Sequence, residues 1–299
     1  LNTFHLLLII IYISFISLGL PDGLLGSAWP SMYENLNVPV SFAGIISMII
    51  SGGTVVSALC SERLVKKFGT GLVTAISVVM TTVALFGFSM SGNFWQLCLW
   101  SIPYGLGAGS VDAALNNFVA LHYKSRHMSW LHCFWGVGCM AGPYALTFFL
   151  TRGMSWNYGY LSIFILQIVL TVILVLALPL WKQKERETMA LNEQEEAKPL
   201  GLKKTVGIHG VKEVMITFLC YCSLEQTAGL WAVSYIVLEK GMDAEVAAKW
   251  GALFYIGITV GRFFAGFISD RLGDKNMIRL GITILIAGMV MIFLPFGNA

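Results

Sequence analysis

Three carboxylates stand inside stretches that are otherwise apolar: Asp22, Asp112 and Glu225. A carboxyl there can hold or release a proton, accept from the hydroxyls of a polar solute, or pair with a base. Asp112 lies in Pro103-Tyr-Gly-Leu-Gly-Ala-Gly-Ser-Val-Asp-Ala-Ala-Leu-Asn-Asn-Phe118, and at helical pitch Gly105, Gly109, Asp112 and Asn116 share one face. The glycines admit a second helix, while the acid and amide need polar company. A charge near a bilayer centre costs about 2.5 to 3.5 kcal/mol on the insertion scale, so Asp112 is expected to face a cavity or a partner. The bland alternative is polar glue between helices.

Asp22 sits in Gly19-Leu-Pro-Asp-Gly-Leu-Leu-Gly-Ser-Ala-Trp29, with Gly26 and Trp29 on its face. Pro21 removes a backbone donor, so the span is expected to break where the acid projects. Glu225 has Gln226 beside it, and its bland reading is a salt bridge across the two halves to Arg262, the one base inside a span. Asn116, Asn117, Gln226 and Glu225 offer hydrogen bonds to a sugar, and Trp29, Trp135 and Trp231 offer flat faces for its ring. Trp95, Trp100, Trp130, Trp156 and Trp181 fall near span ends and read as interfacial anchors. His132 is either a proton relay or a hydrogen-bonded structural histidine. The six cysteines lack paired metal spacing and read as small core residues, so no metal site is expected.

These residues have to be carried by membrane-spanning helices. Hydrophobic residues make up 57% of the 299 and charged ones 12%, well below the roughly 25% charged of a soluble domain. Runs of about 20 apolar residues occur from Phe4 to Pro30, Ser41 to Leu64, Gly71 to Met90, Phe94 to Leu121, Ser129 to Leu150, Tyr160 to Leu180, Val214 to Leu238, Ala247 to Leu272 and Met277 to Phe296. An all-α polytopic bundle follows, with a six-span unit at 1–180, a hydrophilic linker at 181–213 and three further spans at 214–299. With the N-terminus cytoplasmic, 15 of the 19 Lys and Arg fall in cytoplasmic loops, the bias that sets orientation. Asp22 then lies about 7 Å to the outside of its span's centre and Asp112 about 6 Å to the inside, at 1.5 Å per residue.

Segments on either side of the linker match at an offset of 208 residues, Ser61-Glu62-Arg63 with Ser269-Asp270-Arg271 and Gly53 with Gly261. Six spans separate the copies, so the repeats are parallel, as in six-plus-six transporters with a site where the halves meet. The second half holds three spans, so the chain reads as a fragment of a longer protein, inactive by itself.

Gly266-Phe-Ile-Ser-Asp270-Arg271-Leu-Gly-Asp-Lys275, with Gly261-Arg262 upstream, closely resembles the loop signature of the major facilitator superfamily. Glu62 and Arg63 keep its acid and base in a degenerate first copy. Such an acid and Arg at a helix end can bridge to a neighbouring helix in one conformation and release it in another. Within the superfamily the chain resembles the branch of fucose permease and related sugar symporters, through Asp22, the glycine-rich span four, Gly136-Val-Gly138 and Gly142-Pro143, and Glu225 with Trp231 and Ser234-Tyr235. That branch uses an acid in span one and another in span four for recognition and proton coupling, which the resemblance carries to Asp22 and Asp112. It has Glu in span four where this chain has Asp112, and some members use sodium.

A carboxyl withdrawn from water favours its neutral form, so proton occupancy can decide which conformation is favoured. The leading expectation is a monomeric proton-coupled sugar symporter in the plasma or inner membrane, with no cofactor, sodium staying open as the coupling ion. Efflux by antiport and a non-transporting receptor or scaffold are the alternatives. Modest net charge, +3, in short loops excludes a nucleic-acid surface. No HExxH or GxSxG arrangement points to an enzyme.

Overall fold

A computed structural model describes residues 3–123, 125–191 and 202–293. Every expected span in that range is helical, and no strand occurs among the described residues. The first span is two helices, α1 (Thr3–Asp22) and α2 (Leu24–Asn35). A 3-10 turn at Val40–Phe42 leads to α3 (Ala43–Phe68), followed by α4 (Thr70–Met90), α5 (Phe94–His122), α6 (Ser125–Leu150) and α7 (Asn157–Leu191). After the short α8 (Leu202–Val206) come α9 (Val211–Lys240), α10 (Ala244–Leu272) and α11 (Asp274–Phe293).

Among the described residues, six stretches combine span length with high mean hydropathy: His5–Asn35, Val40–Phe68, Thr70–Met90, His127–Leu150, Asn157–Gln183 and Ala244–Ile268. The expected spans over α5, α9 and α11 are helical without belonging to that set. In α5 the glycines, Asp112 and the paired amides lower the average, and they do so in a helix enclosed by α3 on one side and α4 on the other. The helix α7 continues past Leu180 to Leu191, into the segment expected as linker.

Local sequence sets the helix ends. Asn93 caps α5 by accepting from the Gln96 N–H at 3.0 Å, while the Gln96 side chain accepts from the Gly92 N–H at 2.8 Å, a reciprocal cap that satisfies two otherwise orphaned donors. The α3–α4 and α10–α11 turns each pass through one glycine with positive φ, Gly69 at 81° and Gly273 at 73°, a conformation that a Cβ disfavours. Buried hydroxyls bond within their own helices, Ser14 to the Ile10 carbonyl, Thr74 to Thr70, Ser101 to Leu97 and Thr147 to Pro143. These bonds satisfy those four hydroxyls where water is absent, whereas among the described residues Tyr160 Oη and Ser234 Oγ are buried without a partner.

The first six spans pack tightly around each other. The helix α1 lies against α6 and α7, α4 against α5 and α7, and α5 against α3. The later helices meet the earlier ones through contacts of α6 with α10 and of α2 with α9 and α10. Two apolar cores form. One gathers Leu24, Trp29, Phe88, Leu97, Trp156 and Tyr160, the other Leu7, Ile11, Phe15, Leu115, Phe118 and Trp181. Along α1 they change over between Leu18 and Leu20, and along α5 between Tyr104 and Val111, which leaves a polar level between them.

Several expectations from the sequence are corrected here. Trp156 and Trp181, 2% and 1% exposed, are core residues rather than interfacial anchors, whereas Trp95 is 75% exposed. Trp181 fills the groove over Gly71 and meets Phe118 edge-on, which a position near a span end does not reveal. Among the cysteines only Cys139 is buried, while Cys60, Cys220 and Cys222 are exposed.

Candidate functional site

The polar level opens into a cavity of about 610 Å³ walled by α1, α2, α3, α5, α6, α9 and α10, with contributions from α4 and α7. Asp22 stands at the interruption of the first span. The helix α1 stops at Asp22, Gly23 intervenes, and α2 resumes at Leu24. Two helices then hold the carboxylate: Tyr104 Oη of α5 donates to Oδ1 at 2.7 Å, and Trp135 Nε1 of α6 donates to Oδ2 at 2.8 Å. The ring of Trp135 lies close to α1 because Gly19 and Gly138 allow the two backbones to touch. A Cβ on Gly19 would stand 2.1 Å from the Trp135 carbonyl oxygen, and one on Gly138 2.2 Å from that of Ile16.

Asp112 lines the cavity two turns beyond Tyr104 on α5, with Ala108 between them. Asn116 Nδ2 donates to Asp112 Oδ1 and to the Asp112 carbonyl, both at 3.0 Å. The glycines expected on the face of Asp112 do not share its place in the cavity wall. Gly105 and Gly109 face α3, where added Cβ atoms would stand 2.3 Å from the Ile50 and Thr54 carbonyl oxygens respectively. The cavity-facing row is instead Tyr104, Ala108 and Asp112, so Asp112 stands at the border of the two faces.

Glu225 lines the opposite wall. Arg262 Nη2 donates to both its oxygens, at 3.3 and 3.4 Å, and to Tyr221 Oη at 3.1 Å. The expected salt bridge is present, but α9 and α10 are consecutive helices that both follow α8, so it does not reach the helices before α8. Arg262 also reaches α6: its Nη1 donates to the His132 carbonyl at 3.5 Å, and its guanidinium carbon lies 4.7 Å from the centre of the Trp135 ring. This residue, grouped from sequence with the loop motif, therefore belongs to the cavity. Gln226 and His132 also line it, and the His132 ring meets Phe15 edge-on at 5.7 Å.

Four expected site residues lie elsewhere. Trp29 is fully buried, its Nε1 donating to the Val40 carbonyl at 2.7 Å, and Trp231 packs against the core that contains it. Asp22, Leu25 and Gly26 still share the cavity face across Gly23, and Trp29, a turn further on, is enclosed by the core instead. Asn117 is exposed, one residue around α5 from Asn116. Asn116 acts on Asp112 and is not part of the cavity wall. In the loop motif, Glu62 bonds to Lys66 of its own helix at 2.9 Å, both exposed, rather than to a neighbouring helix. Arg63 and Arg271 are exposed, Gly261 faces open space, Gly266 lies over Ser129 of α6, and the Asp270 side chain lies outside the described residues.

Sequence reading passed over Tyr104, Tyr221 and Tyr255, all in the cavity wall. Spacing held the signal for two of them: Tyr221 precedes Glu225 by four residues and Tyr255 precedes Arg262 by seven.

The family model described as Major Facilitator Superfamily matches residues 11–298. The chain belongs to the major facilitator superfamily. Curated relatives of this superfamily member include Bypass of stop codon protein 6 of Saccharomyces cerevisiae, 24% identical over 285 residues, covering 88% of this chain and 57% of that protein. Glucose/mannose transporter GlcP of Bacillus subtilis is 23% identical over 288 residues, covering 93% of this chain and 70% of that one. The D-xylose-proton symporter structure superposes with a TM-score of 0.66 at 12% identity, covering 89% of this chain and 69% of that one. This last likeness carries the fold. The chain thus spans somewhat over half the length of the yeast relative. Family and apolar helices together make it an integral membrane protein.

Proposed function

We propose that the protein is a secondary active transporter that moves a neutral sugar or similar small polar solute together with a proton, by alternating access between its two halves. The observation that carries this reading is Asp22, set at a helix break and held by Tyr104 and Trp135 at the wall of a cavity where the halves meet. A volume of about 610 Å³ lies within the roughly 300 to 1,000 Å³ of small-molecule sites. Three carboxyl groups, Asp22, Asp112 and Glu225, share it with one guanidinium, Arg262, a balance that disfavours an anionic solute. The rings of Trp135, Tyr221 and Tyr255 supply flat surfaces for sugar faces. GlcP lends support as a glucose/mannose transporter at 23% identity. The Lys and Arg bias of the loops supports a cytoplasmic N-terminus.

The test is uptake of labelled D-glucose, D-mannose, D-xylose, a hexuronate and 4-hydroxybenzoate by cells expressing the full-length protein. Accumulation of a neutral sugar and not of the acids supports the proposal. Accumulation of the acids alone, or export in place of uptake, overturns it.

A further inference from the structure

Trp135 touches two charged groups of the site, Asp22 and Arg262. Its indole N–H is bonded to Asp22 Oδ2 at 2.8 Å, and its ring face lies under the Arg262 guanidinium at 4.7 Å. Asp22 and Arg262 share no hydrogen bond or ion pair among the described contacts, so the indole is what joins them. The two contacts use different parts of the side chain. The N–H is a donor with no acceptor capacity, and the face attracts a cation through its quadrupole.

The strength of the N–H bond follows the charge of Asp22. An ionised carboxylate accepts the indole proton in a charge-assisted bond, roughly twice as strong as a neutral one. A protonated acid leaves at most a carbonyl oxygen there, and a proton on Oδ2 itself would set two hydrogens against each other. Tyr104 at Oδ1 is different, because its hydroxyl can donate to the carboxylate or turn and accept from the acid. Trp135 is therefore the partner that loses strength when Asp22 takes up a proton.

Arg262 is held from two sides. Glu225 and Tyr221 of α9 take Nη2, while the Trp135 ring and the His132 carbonyl, both on α6, take the rest. The helix α6 belongs to the first half, α9 and α10 to the second. Loosening the indole shifts this balance towards Glu225 and weakens a tie between the halves. Other charged or titratable groups around Asp22 are Tyr104 and Asp112 on α5, Cys139 on α6, Tyr160 on α7, Glu225 on α9 and Tyr255 on α10.

We propose that Trp135 is the positioning residue that conveys the protonation of Asp22 to the Arg262–Glu225 pair, and so makes the tie between α6 and α10 depend on the bound proton. The inference rests on the transport reading above. It assigns Trp135 a part in coupling through its N–H, separate from any contact of its ring with solute.

The test separates exchange from driven uptake. The full-length protein is reconstituted in proteoliposomes as wild type, as Trp135→Phe, and with Trp135 replaced by benzothienylalanine, which keeps the fused ring and lacks the N–H. Counterflow of whichever of D-glucose, D-mannose or D-xylose the wild type accumulates is compared with accumulation driven by a proton gradient. Loss of a hydrogen bond to a charged group leads us to expect about a tenfold drop in the ratio of driven accumulation to counterflow, taken within each variant so that a lost contact of the ring with solute lowers both and cancels. A residue that only maintains the fold would lower both together. Undiminished driven accumulation by the benzothienylalanine protein overturns the inference, as does a parallel loss of both activities in both variants. A wild type that accumulates none of the sugars overturns the transport reading itself, and the inference with it.

Discussion

Gly26 of α2 lies directly against Gly229 of α9, so that a Cβ on Gly26 would stand 2.1 Å from the Gly229 carbonyl oxygen. The helices α2 and α9 thus meet backbone to backbone beside the cavity, and Leu230 next to this contact is 7% exposed. Gly26→Val will force α2 from α9 and open that end. A cysteine at position 230, in a background with Cys60, Cys220 and Cys222 changed to Ser, then reacts with maleimide about tenfold faster, in line with the cost of overpacking. An unchanged rate would mean that this contact does not keep the end closed.

The α3–α5 seam predicts a contrast between glycines. A Cβ on Gly109 would lie 2.3 Å from the Thr54 carbonyl oxygen and 2.4 Å from Ser57 Oγ, whereas one on Gly52 meets nothing within 4 Å. Gly109→Ala is expected to destabilise by about 1 to 3 kcal/mol through overpacking, while Gly52→Ala stays neutral or slightly stabilising. Thermal unfolding in detergent checks this, and equal melting temperatures for the two variants would refute the close seam.

Arg262 and Glu225 form a partly buried pair, with side-chain exposures of 25% and 16%. Arg262→Met leaves Glu225 without its cation at a cost of about 2 kcal/mol, less than for a fully buried pair because water reaches both groups. Adding Glu225→Gln should restore most of the lost stability, and the double-mutant cycle on melting temperature measures the coupling. Additive losses would show that the two side chains do not act as a pair.

Much of the site was legible because its signals were local. Pro21 beside Asp22 marked the break, the Gly105 and Gly109 spacing marked a close helix contact, and isolated charges in apolar runs pointed to Asp22, Asp112, Glu225 and Arg262. What stayed hidden depends on which helix covers a given face. Pitch groups residues on a face without naming its neighbour, so Trp29 and Trp231 read as sugar platforms when the core encloses or adjoins them. Gln167 shows the same limit: 1% exposed in the apolar α7, it is bound to the Ser17 carbonyl at 2.8 Å and to the Ser17 hydroxyl, a contact between spans one and six without local signature. Tyr104 was hidden because a tyrosine in an apolar helix is ordinary until the acid on the facing helix is known.

Proton movement tests the central claim most directly. Alkalinisation of the medium on adding sugar is to be recorded for cells expressing the full-length wild type, Asp22→Asn and Asp112→Asn. The account predicts a sugar-dependent signal in the wild type and its loss in Asp22→Asn, whose amide can still accept from Trp135 but cannot cycle a proton. A signal of wild-type size in Asp22→Asn would contradict it and remove Asp22 from the coupling site.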